Sequence, residues 1–222
     1  MRVRLGSAIF SGALLLAACS SGGGHASPTT TTVVTPKGEH ASQAAADAAV
    51  LPLADLPART TKLTPGGPSD VSCTGKSLVK KARFFAGAVY QLPRSSTRLG
   101  DGVGIDAPGG AAQTLSNYRE HWNCPVGSDV YHPDRQWSVA KLKFPSIAPG
   151  QLSYEFRRSY AAKPNVTTSI TDDVLLLPVN SSSVLELSAN DTSSTGPAVV
   201  DPSAFEDFAR KAWTRAESAL GQ

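Results

Sequence analysis

Residues 174–190 read VLLLPVNSSSVLELSAN. Val174 to Val179 is apolar throughout, as a central strand would be. Pro178 predicts that the end of this strand leaves the ladder, because proline has no N–H to give. Asn180-Ser181-Ser182-Ser183 supplies turn residues, and Val184 to Ala189 follows as a second strand.

The same reading extends upstream. In QLSYEFRRSY, residues 151–160, Leu152, Tyr154, Phe156 and Tyr160 point one way, and Ser153, Glu155, Arg157 and Ser159 the other. That alternation predicts a sheet with one buried and one wetter face. WSVAKLKF, 137–144, alternates less cleanly, and Pro145 to Gly150 links the two as a loop. VTTSI, 166–170, is rich in β-branched residues and predicts a short strand. Asp172 and Asp173 come next. Adjacent strand residues face opposite ways, so a solvated turn is the expected place for the pair. ARFFAGAVYQL, 82–92, and VGIDA, 103–107, are two more candidate strands, with Leu99-Gly100-Asp101-Gly102 as the turn between them.

Two amphipathic helices interrupt the strands. In residues 110–122, Ala111, Leu115, Tyr118 and Trp122 form one apolar stripe, and Pro125 stops the helix. In residues 202–220, Asp201 is a cap and Pro202 suits the first helical position. Phe205, Phe208, Ala209, Ala212, Trp213, Ala216 and Leu220 make its apolar face. The alanine-rich ASQAAADAAVL, 41–51, predicts a short helix where the domain starts. Strands joined by hairpin-sized gaps, with helices between and after them, predict a single α+β domain, an antiparallel β-sheet flanked by helices.

The N-terminus carries a different signal. Arg2 and Arg4 precede an uncharged run from Ala8 to Ala18, too short to span a bilayer, which needs roughly 20 apolar residues. Leu16-Ala17-Ala18-Cys19 resembles the lipobox of bacterial lipoproteins, in which the cysteine becomes the first mature residue and its thiol receives a diacylglycerol. Residues 1–18 are therefore read as a lipoprotein signal peptide and Cys19 as the lipidation site. Two or three acyl chains hold a protein on a membrane, at about 0.8 kcal/mol per buried CH₂. Residues 19–40, rich in Ser, Thr, Gly and Pro, read as a tether with an average span near 25 Å, at about 5–6 Å × √n. The domain then occupies 41–222 on the extracytoplasmic face of the cell membrane.

Removal of the signal leaves 19 basic against 18 acidic residues, a net charge of +1. Basic residues do not cluster as a nucleic-acid footprint requires. With Cys19 acylated, Cys73 and Cys124 remain, and an exported compartment permits a disulfide between them. Closing a loop of about 50 residues stabilises by roughly 4 kcal/mol in the chain-entropy treatment. Two cysteines do not supply the four ligands of a zinc site, and no cofactor motif is present.

Catalytic signatures are sparse. The chain has no GxSxG, HExxH, EF-hand loop or CxxC, and the glycines of GDGVG, 100–104, lack the spacing of a phosphate loop. His25 and His40 lie in or near the tether, and His121 lies on a helix face. His132, in VYHPDRQW, has Asp134 nearby and is the one acid/base pair on offer. Aromatic residues are denser. Tyr118, Trp122, Tyr131, Trp137, Tyr154 and Phe156 fall on one helix, one loop and two neighbouring strands, with Arg158 beside them. They are the candidate ligand-binding residues: either a packed core or a groove between helix and sheet for an apolar or glycan-like ligand.

The chain resembles the extracellular sensor domain at the outer end of PknH-type actinobacterial Ser/Thr kinases, which also occurs as free lipoproteins. The resemblance covers about residues 49–218. It is carried by VLPLADLP (50–57), GGAAQTLSNYREHWNCP (109–125), QWSVAKL (136–142), VLLLPVNSSSVLELSAN (174–190) and FEDFARKAWTRAESAL (205–220). It implies an antiparallel sheet with helices and a cleft for a cell-envelope ligand. That group carries two disulfides, and this chain has cysteines for one.

The expected function is that of a non-catalytic, sensor-like binding protein for an envelope ligand or a protein partner. The alternatives are an envelope hydrolase or transferase using His132 and Asp134, and an apolar-lipid carrier with an interior cavity. Mass spectrometry of the membrane-extracted protein is expected to find a diacylglycerol on Cys19. A Cys19→Ala protein is expected in the soluble fraction, and its retention in the membrane would rule out the anchor.

Overall fold

The computed structural model describes residues 41–64, 71–76 and 82–221, all within one compact unit. The signal peptide 1–18, the acylation site Cys19, the tether 19–40, and His25 and His40 lie outside the described residues. No described helix is long and apolar enough to cross a membrane.

Three α-helices are present: α1 (Gln43–Ala49), α2 (Gly110–His121) and α3 (Pro202–Leu220). The strands are β1 (Thr61–Leu63), β2 (Val71–Ser72), β3 (Phe84–Gln91), β4 (Arg98–Ile105), β5 (Val126–Asp129), β6 (Gln136–Lys141), β7 (Leu152–Lys163), β8 (Val166–Pro178) and β9 (Ser183–Ser193). They form one nine-stranded antiparallel sheet in the order β1-β3-β4-β9-β8-β7-β6-β5-β2. The architecture is α+β and mostly sheet.

Strand β8 occupies the middle of that order, and its apolar run has a direct cause. Leu175 and Leu177 pack with α1, α3 and the inward residues of β3, β4 and β9. Val174 and Leu176 pack with Ala111 and Leu115 of α2 and with Trp137, Val139, Tyr154 and Phe156 of β6 and β7. Successive strand residues face opposite ways, so the two cores lie on opposite faces of β8. Leu175, Leu176 and Leu177 are each fully buried, and each contributes roughly 1.5–3 kcal/mol by leaving water.

Each helix is fastened by chemistry legible at its ends. The Asp201 carboxylate accepts the N–H groups of Ser203 and Ala204 at 2.9 and 3.2 Å, capping α3. The Asn180 amide donates to the carbonyl of Leu220 at 2.7 Å, tying the β8–β9 turn to the other end of α3. Helix α1 is followed by Leu51, whose N–H donates to Asp101 Oδ2 at 2.6 Å and whose carbonyl accepts the Tyr90 hydroxyl. The end of α2 is held to β2 three times. Cys73 and Cys124 form a disulfide with Cα atoms 5.9 Å apart. The Cys73 N–H donates to His121 O, and the Trp122 indole N–H donates to Val71 O at 2.8 Å.

Two expected turns are strand instead. Leu99 to Gly102 lies inside β4, which pairs from Arg98 to Ile105 with both β3 and β9. Its buried set is Leu99, Asp101, Val103 and Ile105, and its glycines all fall on the other face. A Cβ at Gly100 would sit 2.4 Å from Ser188 Oγ on β9, so a side chain there would force the Ser188 hydroxyl into another rotamer. The true turn spans residues 92–97, where Arg94 takes a left-handed φ of 58°. Asp172 and Asp173 likewise do not turn. The segments VTTSI and VLLLPV are one 13-residue strand that runs through both aspartates.

Leu175→Ala is expected to cost about 2–5 kcal/mol in a denaturant melt. Cys73→Ser is expected to cost about 2–5 kcal/mol in the same assay.

Candidate functional site

Part of the expected aromatic group converges at the C-terminal end of α2. Trp122 lies 4.4 Å from Tyr118, 5.2 Å from Tyr154 and 4.9 Å from Phe156, centroid to centroid. Trp122, Tyr154 and Phe156 are buried, and Tyr118 is half-buried with its hydroxyl donating to Glu186 at 3.2 Å. These rings form the α2 core. The depression beside them, lined by Trp122, Cys124, Pro125, Val139, Lys141 and Tyr154 among others, has a volume of about 230 Å³. Small-molecule pockets run to roughly 300–1,000 Å³.

Beyond the end of that core the same sheet face carries different chemistry. Arg158 on β7 lies over the Trp137 ring at 4.9 Å and over the Tyr160 ring at 4.8 Å. Register explains the stack. Ser138 pairs with Arg157, so Trp137 on β6 faces Arg158, and Tyr160 is two residues further along β7. Each such cation–ring contact contributes about 0.5–2 kcal/mol. On β8, Asp172 is opposite Phe156 and Ile170 is opposite Arg158, which puts Asp172 on this face, one side-chain step from Arg158. On β9, Asn190 and Thr192 are opposite Asp172 and Ile170.

Hydrogen bonding at this patch is incomplete. Among the described residues, seven buried side-chain polar atoms have no partner, and Trp137 Nε1, Arg158 Nε and Asp172 Oδ1 are three of them. Arg157, the neighbour of Arg158 on the opposite face, is by contrast ion-paired to Glu155 at 2.7 Å. The rim of the patch is open to solvent: Tyr160 is 43 % exposed, and Thr192 is exposed.

Burial also perturbs the acids. Asp172 is pushed from the ordinary carboxylate value of 3.8 to about 7, first by desolvation, then by the charges of Asp173 and Glu186. Asp173 rises to about 6 through desolvation and Glu155, with Arg157 opposing. Asp101 rises to about 6 through desolvation, offset in part by the Leu51 N–H.

The remaining candidates lie elsewhere. Tyr131 is 58 % exposed in the β5–β6 loop, and it contributes no ring to the cluster. His132 and Asp134 are exposed in that loop, and no side-chain hydrogen bond joins them. The His132 N–H donates to Asp129 Oδ1 at 3.1 Å. No group of three or more His, Cys, Asp and Glu side chains among the described residues could hold a metal ion. Sequence reading misses Asp172 because it places the residue in a turn. Five β-branched residues among the six of 166–171 are the signal that could have carried the strand through it.

No protein-family model matches the chain, and no curated protein matches it. Among solved structures the chain is similar to LpqN of Mycobacterium tuberculosis, described as involved in cell envelope biogenesis. The identity is 17 %, over 75 % of this chain and 83 % of that chain, with a TM-score of 0.22.

The raised acids have a consequence for stability. The folded protein holds these protons more tightly than the unfolded chain, whose carboxyls titrate near 4. Their contribution is therefore most favourable below about pH 4 and is lost as pH rises through about 6 to 7. Asp201, lowered by its Ser203 and Ala204 hydrogen bonds, acts in the opposite sense but only below about pH 4. Thermal melts are expected to show a lower Tm at about pH 8 than at about pH 5, and Asp172→Asn is expected to reduce that difference and raise the Tm at the higher pH.

Proposed function

We propose that this chain is a lipid-anchored, extracytoplasmic, sensor-like binding protein that recognises a cell-envelope ligand or a protein partner without catalysis. Its binding face is the sheet surface beyond the end of α2, around Trp137, Arg158, Tyr160 and Asp172.

One observation supports the location. Three buried polar atoms without partners, Trp137 Nε1, Arg158 Nε and Asp172 Oδ1, gather on one patch whose rim is exposed. Leaving a buried polar group unpaired costs about 1–3 kcal/mol, and proteins tend to retain such local violations at functional sites. The anchor is supported by the Leu-Ala-Ala-Cys pattern ending at Cys19 and by the low-complexity tether after it. A tether of that length would hold the face clear of the bilayer while keeping it in the envelope.

The test uses the full-length protein extracted in detergent and melted in the presence of separated polysaccharide, peptidoglycan and lipid fractions of an actinobacterial envelope. At least one fraction is expected to raise the Tm by several degrees. Thr192→Trp, which fills the exposed rim of the face, is expected to melt normally without ligand and to lose that gain. An equal gain in the Thr192→Trp protein, or no gain with any fraction, would overturn this reading.

A further inference from the structure

We propose that the face takes an acidic sugar: an oxyanion, carboxylate or phosphate, seats on the Arg158 guanidinium while a neighbouring hydroxyl of the same ring donates to Asp172. This inference rests on the binding face named above and specifies what it recognises.

Two adjacent arginines make the contrast. Arg157 spends its charge on Glu155, 2.7 Å away. The Arg158 side chain has no carboxylate partner and no hydrogen bond among the described residues; two rings hold it, at 4.9 and 4.8 Å. Stacking fixes the plane of a guanidinium without consuming its N–H donors, so its edge stays free for a bidentate oxyanion. A side chain already immobilised loses little rotamer entropy on binding. Nothing in that arrangement requires Arg158 to be charged for packing, since Trp137 and Tyr160 could cover an aliphatic side chain.

Asp172 narrows the class. When ionised it accepts hydrogen bonds and donates none. One side-chain step from Arg158 on the same face, it repels a bare anion and attracts a donor carried beside one once ionised, above about pH 7. A sugar acid or sugar phosphate presents both groups within one ring, and the ring's C–H face fits against the exposed Tyr160. A neutral sugar leaves Arg158 unpaired; a simple anion leaves Asp172 unpaired. The other charged and polar groups on this face include Asn190, Thr192 and Ser188 on β9, Arg98 on β4 opposite Asn190, Lys141 on β6 opposite Tyr154, and Glu186, whose side chain accepts the Tyr118 hydroxyl.

Nuclear magnetic resonance of the mature, detergent-extracted protein reads the site directly through the Arg158 Nε–H signal. Glucuronate and glucose 6-phosphate are the probes, with glucose and acetate as controls. At least one acidic probe is expected to shift the signal with an affinity about tenfold or more above both controls, and the better of the two identifies carboxylate or phosphate as the oxyanion. Arg158→Lys keeps the charge and removes the fork, and is expected to lower that affinity about tenfold or more. Asp172→Asn is expected to erase the preference for glucuronate over acetate. Glucose binding as tightly as the acidic probes, no shift with any probe, or unchanged affinity in Arg158→Lys would overturn the inference. If the Tm gain with an envelope fraction survives Arg158→Lys but not Thr192→Trp, the acidic-sugar assignment is wrong and the binding face stands.

Discussion

The structure depends on burying one strand from both sides. Val174 to Leu177 is closed over by the α1–α3 core on one face and the α2 core on the other. The two cores share this strand, each taking alternate side chains from the same four residues. The sheet can therefore be nine strands wide while covering only part of each face. Helices α1 and α3 share a core with β3, β4, β9 and β8, whereas α2 shares one with β8, β7, β6 and the short β2.

Such an offset arrangement leaves polar residues on strands whose other face is core. Buried acids mark the boundaries. Asp101 is satisfied in part, because its carboxylate receives the Leu51 N–H and so fixes the chain leaving α1. Asp191 is used in the same way, accepting the Val199 N–H at 2.9 Å. Asp172 does no such structural work: its Oδ1 is buried and unpartnered, next to an arginine that is also unpaired. Asp173, on the opposite face, also fastens nothing, but only Asp172 shares a face with Arg158, and that juxtaposition directs attention to the face beyond α2.

That face also accounts for how the expected aromatic residues divide. Trp122, Tyr154 and Phe156 build the α2 core, while Trp137 belongs both to that core and to the Arg158 stack. The proposed binding face is thus supported from beneath by packed rings and by the disulfide-tethered end of α2. Sites carried on rigid strands hold their side chains more closely than sites on loops, and Arg158, Asp172 and Trp137 all lie on strands. His132 and Asp134, by comparison, sit in an exposed loop.

Local pattern was enough wherever one neighbour decides the outcome. The start of α3 followed from Asp201 and Pro202, the α2 stripe from Ala111, Leu115 and Trp122, and the alternation of 152–156 matched its burial. The apolar run 174–177 announced a central strand because burial on both faces removes the need for alternation. What the tertiary structure decided was everything that depends on a distant partner. Gly100 to Gly104 is strand because β3 and β9 pair with it on both sides, a fact no local propensity contains. Asp172 and Asp173 stay extended because ladders on both sides outweigh the preference of aspartate for turns. The stacking of Arg158 on Trp137, and its place on one face with Asp172, is a matter of register between the consecutive strands β6, β7 and β8, which the residue pattern of any one strand does not fix.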